Sequence, residues 1–504
     1  MSKSLSVLGL DGMSWSYLTK LISNGTMPYL SKLIQRSFTA ELTCIPPVTP
    51  PSWTSIMTGV NPGKHGIFGF FYYERSTWKQ RLYTTFDLEH PRVHEMLSMN
   101  GLKSIVFNPM PDYPLLRVRN AEVVSNLFFT PKVVSQPEGI YKKYFGDEDP
   151  RKIVKSVSCE ALSECQRVLE IYFEAIIKAL KERYMLLWIN LNMPDIIFHR
   201  CPQVLKEDRV FTEERKLFEL LDKLIEELDK NTDSLMIVSD HGFARYDKIV
   251  SINDILLRHG YARSASIRRT KEIGEYRIDE GMVNIKNVKQ IRIPPLVYST
   301  VKRLKLRSLA RKLLSIYGKI TRKKVTVATS RWVDVDGSIA FLPDHYAFGV
   351  YVKDERYAEE ILKVLKSYNQ IDAHLSRDFY HGPFIHRAPD VVVLPRFDLG
   401  YWIHGNNITG MVVAGGEYYA HHPLGILVIR DEGLMHIKDQ NEVRSVPNHV
   451  TGWLALHILN QPLPRSRDHY WPLEKRLYRK PLETNYLARW RVLSKMRRLR
   501  CGKP

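Results

Sequence analysis

The sequence predicts an α/β fold, a mostly parallel central sheet with helices on both faces, and two observations carry the prediction. Short apolar runs that close on polar, turn-forming residues recur along the chain, and long amphipathic helical patterns lie between them. Alternating strand and helix is the signature of a sheet covered on both faces. The composition agrees: 504 residues at 44% hydrophobic and 25% charged supply a sizeable core and exclude a disordered or collagen-like chain. The length corresponds to about three domain-sized units, or to one large core with insertions.

The first run, SLSVLGLDG, reads as a buried strand ending at Asp11. Comparable strand endings follow at YMLLWINLNMPD (184–195), SLMIVSDHG (234–242), APDVVVLP (388–395) and LGILVIRD (424–431). Helices are expected over 163–183 and 214–230, where apolar residues repeat at three- and four-residue spacing. Pro50 and Pro51 force an extended approach and suit the first turn of a helix beginning near Ser52. That geometry sets the Thr49 hydroxyl beside free backbone N–H groups at a helix N-terminus, where an anion is stabilised; taken alone, Thr49 could equally be an N-cap.

The formal net charge is +20, and two segments carry all of it. Residues 302–325 hold ten Lys/Arg and no acid; residues 465–504 hold thirteen against three acids. Such segments favour anionic partners. In 302–320, Leu306, Leu309, Leu313, Ile316 and Ile320 share one stripe with Lys and Arg elsewhere, which fits a membrane-surface helix or a helix packed on its own domain with a solvated basic face. The C-terminal run from Leu487 carries the same two readings, and its position suits a mobile tail. No apolar run approaches 18 residues, and the N-terminus lacks a cleavage-site pattern, so neither a membrane span nor a secretory signal is expected. Five scattered cysteines make a disulfide framework or a zinc ribbon unexpected, with a reducing cytoplasm as the default.

In sheets of this kind ligands bind outside the carboxyl ends of strands. The residues found there are Asp11, the pair Asp195 and His199, and the pair Asp240 and His241. Each has an ordinary reading as a turn, a helix cap or a solvated helix face. Their coincidence at three strand ends is the signal.

The pieces LGLDG (8–12), TMPYLSKL (26–33), TPPSWTSIMTG (49–59), NPGKHGIF (61–68), NMPDIIFH (192–199), SDHGF (239–243), APD (388–390) and HHPLGIL (421–427) together resemble the type I phosphodiesterase/nucleotide pyrophosphatase branch of the alkaline phosphatase superfamily. The resemblance implies an alkaline-phosphatase-like sandwich with an inserted cap region and a site for two divalent metal ions. One metal would be held by Asp11, Thr49, Asp240 and His241, the other by Asp195, His199 and His421. His421 is selected as the histidine four residues before Gly425-Ile426-Leu427; His422 and His404 are its competitors. Zinc is the first choice, with manganese and iron as alternatives. Thr49 would be the nucleophile, forming a phosphothreonine that water then hydrolyses. Ser52 stands where many members have Asn holding a phosphoryl oxygen, and it would bind substrate through its hydroxyl.

The expected domains are a core over 1–244, an insertion or cap over 245–395 containing the basic helix, a core return over 396–464 and a basic extension over 465–504. Lys64 and His65 are expected to fix their loop, and Asp390 to cap a strand. Trp53, Phe68, Phe70, Phe71, Tyr72 and Tyr73 are candidates for core packing or for stacking on a base. The implied function is a two-metal phosphohydrolase, a phosphodiesterase or nucleotide pyrophosphatase first. The alternatives are a phosphomonoesterase, phosphotransferase or phosphonate hydrolase with the same metals, or a cationic membrane- or nucleic-acid-binding protein with a vestigial site. Partners would be a small phosphorylated substrate, a nucleotide among the candidates, and an anionic membrane surface reached peripherally from the cytoplasm. No motif supports sequence-specific nucleic-acid binding.

Overall fold

Residues 3–128, 130–265, 288–292, 324–328, 331–437, 444–477 and 480–500 are described by a computed structural model. The basic stripe at 302–320 lies outside these residues.

In chain order the elements that build the site are β1 (Leu5–Leu10), β2 (Phe38–Thr43), α1 (Thr49–Thr58), β3 (Ser104–Phe107), β4 (Ala121–Ser125), β5 (Val134–Gln136), α2 (Ala161–Leu180), β6 (Leu186–Leu191), α3 (Asp195–Arg200), α4 (Thr212–Lys230), β7 (Ser234–Val238), β8 (Gly242–Val250), β9 (Tyr401–Ile403), β10 (Val413–His422), β11 (Leu424–Arg430), β12 (Ser445–Pro447), α5 (Val450–Ile458) and α6 (Tyr486–Arg500). Nine strands form the central sheet in the order β12-β2-β11-β7-β1-β6-β3-β4-β5. Five of its eight pairings are parallel.

Strand periodicity explains the layering. Successive side chains point to opposite faces, so Leu8 and Leu10 of β1 join Leu187, Ile189 and Leu191 of β6 in one apolar layer with α2 and α4. Leu5, Val7, Leu186 and Trp188 enter the other layer, against α1, α5 and the start of α6. Burial on both faces is why β1 and β6 read as continuous apolar runs rather than alternating ones. The strand expected at 388–395 does form, over Val391–Pro395, but it belongs to a separate four-stranded sheet with Ala340–Phe341, Gly349–Val352 and Ile371–Leu375. That sheet shares a third apolar cluster with β8, β9 and β10. Among the described residues the central sheet has no strand between Val238 and Leu424.

Two further expectations change. Cys159 and Cys201 form a disulfide across 42 residues, because the end of α3 packs beside the approach to α2; this removes the cysteine-based reason for a reducing compartment. The C-terminal segment is also not a free tail over its described length: α6 buries Tyr486 and Trp490, and the Trp490 indole donates to Glu95 at 3.2 Å. Among the described residues no helix is long and apolar enough to cross a membrane.

Candidate active site

Four polar side chains of the site follow the ends of buried strands. Asp11 follows β1, Asp195 opens α3 shortly after β6, and Asp240 and His241 join β7 to β8. The Asp195 N–H donates to the Asp11 carbonyl at 2.9 Å, which locks two of these strand ends together. Gly12 lies between them with φ +78, and a Cβ there would come within 2.9 Å of Asp195 Cβ, so the close approach needs glycine. His421 comes from β10, whose antiparallel register sets Phe243 opposite His421.

The candidate ligand atoms fall into two groups. Asp11, Asp240 and His241 form one and Asp195, His199 and His421 the other, with the atoms of each within 4.8 Å of one another. In the first, His241 Nε2 is 3.5 Å from Asp11 Oδ1, 3.3 Å from Asp240 Oδ2 and 3.4 Å from Thr49 Oγ1. In the second, His421 Nε2 is 3.2 Å from Asp195 Oδ1 and 3.1 Å from His199 Nε2. The His241 and His421 rings stack at 3.8 Å, joining the groups back to back. His199 is exposed and gives the site its opening; Asp11, Thr49, Asp240, His241 and His421 are buried.

Two backbone carbonyls orient the imidazoles. His241 Nδ1 lies 3.0 Å from Gly242 O, and His421 Nδ1 lies 2.8 Å from Pro47 O. A carbonyl can only accept, so each Nδ1 carries the proton and each Nε2 turns a lone pair toward carboxylate oxygens. Acceptor faces acceptor, and Asp11 Oδ1 and Asp240 Oδ2 are buried without a hydrogen-bond partner. Burial, then the charges of Asp240 and Asp195, push Asp11 well above the usual carboxylate range; burial, then Asp195, does the same to Asp240. Burial, followed by His421, holds His241 well below the usual imidazole range. Burial alone would raise Asp195, but the neighbouring His199 holds it low. A cation in each group would relieve both the crowded carboxylates and the opposed lone pairs, so the donor set fits two divalent ions.

Thr49 opens α1, three residues before the predicted start. The expected array of free first-turn donors is thinner than predicted: Pro50 and Pro51 have no N–H, and the Ser52 N–H goes to the Val48 carbonyl at 3.0 Å. The buried Ser52 hydroxyl donates to the Pro46 carbonyl at 3.0 Å, so donation to a phosphoryl oxygen would require exchanging that bond. Trp53 is fully buried, and its indole N–H donates to Asp11 Oδ2 at 3.4 Å. It orients the Asp11 carboxylate, a role that its position one helical turn after Thr49 could have signalled.

Lys64 pairs with Asp468 at 2.5 Å, and His65 Nε2 meets Ser55 Oγ at 3.0 Å; both fix the loop after α1. The Asp390 carboxylate accepts from the Val352 N–H at 2.6 Å and pairs with Arg75 at 2.7 Å. His422 turns away from the ligand groups and accepts from the Leu424 N–H at 3.2 Å. His404 lies with His345 in the wall of a cavity beside His199. Burial, then His421, His199 and His404, pushes His345 down to about 4. Nothing in the local pattern around His345 or Tyr346 pointed to this place.

The model of the family Type I phosphodiesterase / nucleotide pyrophosphatase matches residues 5–422. The chain is a member of that family. It is accordingly a metal-dependent hydrolase of the alkaline phosphatase superfamily. Among solved structures, phosphonoacetate hydrolase from Sinorhizobium meliloti 1021, in complex with phosphonoformate, superposes with a TM-score of 0.57 at 16% identity, over 91% of this chain and 96% of that one. Murine ectonucleotide pyrophosphatase / phosphodiesterase 5 gives a TM-score of 0.50 at 14% identity, over 94% and 100%. At these identities the likeness is one of fold. The large, mostly parallel central sheet with helices is the architecture expected of an alkaline-phosphatase-like family member.

Proposed function

We propose that the protein is a phosphodiesterase or nucleotide pyrophosphatase in which Thr49 is the nucleophile and two divalent cations are bound, one by Asp11, Thr49, Asp240 and His241, the other by Asp195, His199 and His421. The observation that carries this reading is the pair of imidazole Nε2 lone pairs turned toward carboxylate oxygens, with both Nδ1 protons committed to carbonyls. When bound, the cations favour the ionised Thr49 hydroxyl and neutralise charge developing on the attacking and leaving oxygens. The protein's own residues do the rest. Thr49 Oγ1 attacks phosphorus, its bond to the leaving oxygen breaks, and water then cleaves the resulting phosphothreonine. Trp53 and Gly12 hold Asp11 and Asp240 by N–H donation. The buried walls exclude competing water from Thr49 while His199 keeps one side open. Asp/His sets suit zinc first, with manganese or iron as alternatives.

The likeness to a phosphonoacetate hydrolase keeps phosphonate cleavage as a second reading; phosphomonoester hydrolysis and phosphoryl transfer would use the same groups. The test is turnover of bis-p-nitrophenyl phosphate, p-nitrophenyl phosphate and phosphonoacetate by metal-stripped protein reloaded with zinc, manganese or magnesium. Preference for the diester is expected. Thr49→Ala should retain the fold and lose roughly three orders of magnitude in turnover, while Thr49→Ser retains part of it. Near-normal turnover in folded Thr49→Ala would remove Thr49 from the mechanism.

A further inference from the structure

A cavity of about 510 Å³ opens beside His199, and its wall includes His345, Tyr346, Trp402, His404 and Tyr418. It backs onto the second ligand group: the Tyr346 ring lies 5.0 Å from the His421 ring, and the Trp402 ring 6.5 Å from it. Thr49 belongs to the other group, against His241. In an in-line displacement the attacking and leaving oxygens sit on opposite sides of phosphorus. With Thr49 attacking from its side, the leaving oxygen departs toward Asp195, His199 and His421, and whatever it carries enters this cavity.

The character of the wall decides what fits. Glu417 is the one charged side chain among the described lining residues, and it is already paired with Lys206 at 3.2 Å and Arg245 at 3.4 Å. Apart from the cation that Asp195, His199 and His421 would hold, a diphosphate entering here would give up its hydration without meeting a Lys or Arg among the described lining residues. The aromatic rings offer flat apolar faces, and the imidazoles and phenols offer hydrogen bonds to hydroxyls. The volume lies within the usual range for a small-molecule pocket.

We propose that this cavity is the leaving-group pocket and that it selects an uncharged ring-bearing or hydroxylated alcohol over diphosphate, which makes phosphodiesters rather than nucleoside triphosphates the substrate class. The inference rests on the Thr49 reading above. It also gives His404, a competitor for the last metal ligand in the sequence, a place in specificity.

The experiment compares two substrates that transfer the same group, the p-nitrophenyl ester of thymidine 5′-monophosphate and thymidine 5′-triphosphate, with metal-loaded protein. Wild type should favour the ester in kcat/KM by about tenfold or more. Tyr418→Arg should narrow that ratio by about fivefold or more, chiefly through a lower KM for the triphosphate. Tyr346→Ala should raise KM for the ester while two metal ions per chain remain bound, a split that simple loss of fold would not produce. Equal handling of the two substrates by wild type, or a ratio unmoved by both variants, overturns the proposal. Turnover of neither substrate by the metal-loaded wild type defeats the hydrolytic mechanism itself, and the pocket assignment falls with it.

Discussion

His421 and His422 are adjacent on β10, and a strand turns successive side chains to opposite faces. His421 therefore meets Asp195 and His199 while His422 meets the Leu424 N–H. Elemental analysis should find about two ions per chain in the wild type, about one in His421→Ala and about two in His422→Ala; the reverse pattern would exchange the two assignments. Gly9 shows the same tight tolerance from the other side of the site. A Cβ there would overlap the Trp53 ring and Asn190 Oδ1, and Trp53 is the residue that orients Asp11. Gly9→Ala should cost about 1–3 kcal/mol by overpacking, visible as a lower urea midpoint. An unchanged midpoint would mean that the Trp53 contact relaxes freely.

At the scale of elements, α3 carries two candidate ligands within about one turn and ends at Cys201, whose bond to Cys159 closes a loop of 42 residues. A loop of that length corresponds to about 4 kcal/mol in the chain-entropy account. Reductant should lower the urea midpoint of the wild type and leave that of Cys159→Ser unchanged. Equal midpoints for Cys159→Ser and the oxidised wild type would show that the bond contributes nothing. The C-terminal helix α6 turns Tyr486 and Trp490 inward and exposes Val492 and Met496, at 63% and 49%, beside the exposed Arg491 and Lys495. Apolar and cationic side chains on one exposed face suit an anionic lipid surface, where each basic residue contributes about 1 kcal/mol and screening acts over roughly 8 Å. Arg491→Glu with Lys495→Glu should weaken sedimentation with phosphatidylserine vesicles at low salt and leave turnover of a small diester unchanged. Equal sedimentation would make this face ordinary solvated surface.

For the whole molecule, two buried acids tie distant parts of the chain together. Asp468 accepts from the Asn61 N–H at 2.5 Å, pairs with Lys64, and lies 3.0 Å from His381 Nε2, so it joins the loop after α1, the smaller sheet's surroundings and the C-terminal region. Glu95 accepts from Arg92, Trp490 and Arg497, which fastens α6 to the helix Val93–Met99. Burial alone would raise Glu95, but Arg92, His94 and Arg497 hold it at about 2. Because its folded value lies below the unfolded value near 4.3, its contribution of about 3 kcal/mol is complete above that pH and is lost as the pH falls through about 2. His94, held at about 3 by burial and then by Arg92, also sheds stability as the pH falls, beginning near 6.5. Urea unfolding between pH 2 and 6 should show a flatter acid limb in Glu95→Gln than in the wild type, and identical limbs would contradict the low value for Glu95.

The mostly parallel sheet, its strand ends at Asp11 and Asp240, and the helical spacing of Asp195 and His199 were legible in the sequence. Each rests on a short-range period of two or three to four residues, and apolar runs on β1 and β6 mark burial on both faces without reference to the rest of the chain. The sheet to which Val391–Pro395 belongs was not legible, because an apolar run does not name its neighbours. The same limit hid the Cys159–Cys201 bond and the His345 and Tyr346 wall. His199 and His421 meet across 222 residues only because β10 pairs with β8 in one register, and a shift by one residue would have presented His422 instead. The tautomers of His241 and His421 were decided still later, by the carbonyls of Gly242 and Pro47, which no side-chain pattern encodes. The sequence by itself therefore determined which residue types reach the strand ends, while tertiary structure decided which atoms face one another, since ligand geometry depends on register and backbone placement rather than on local period.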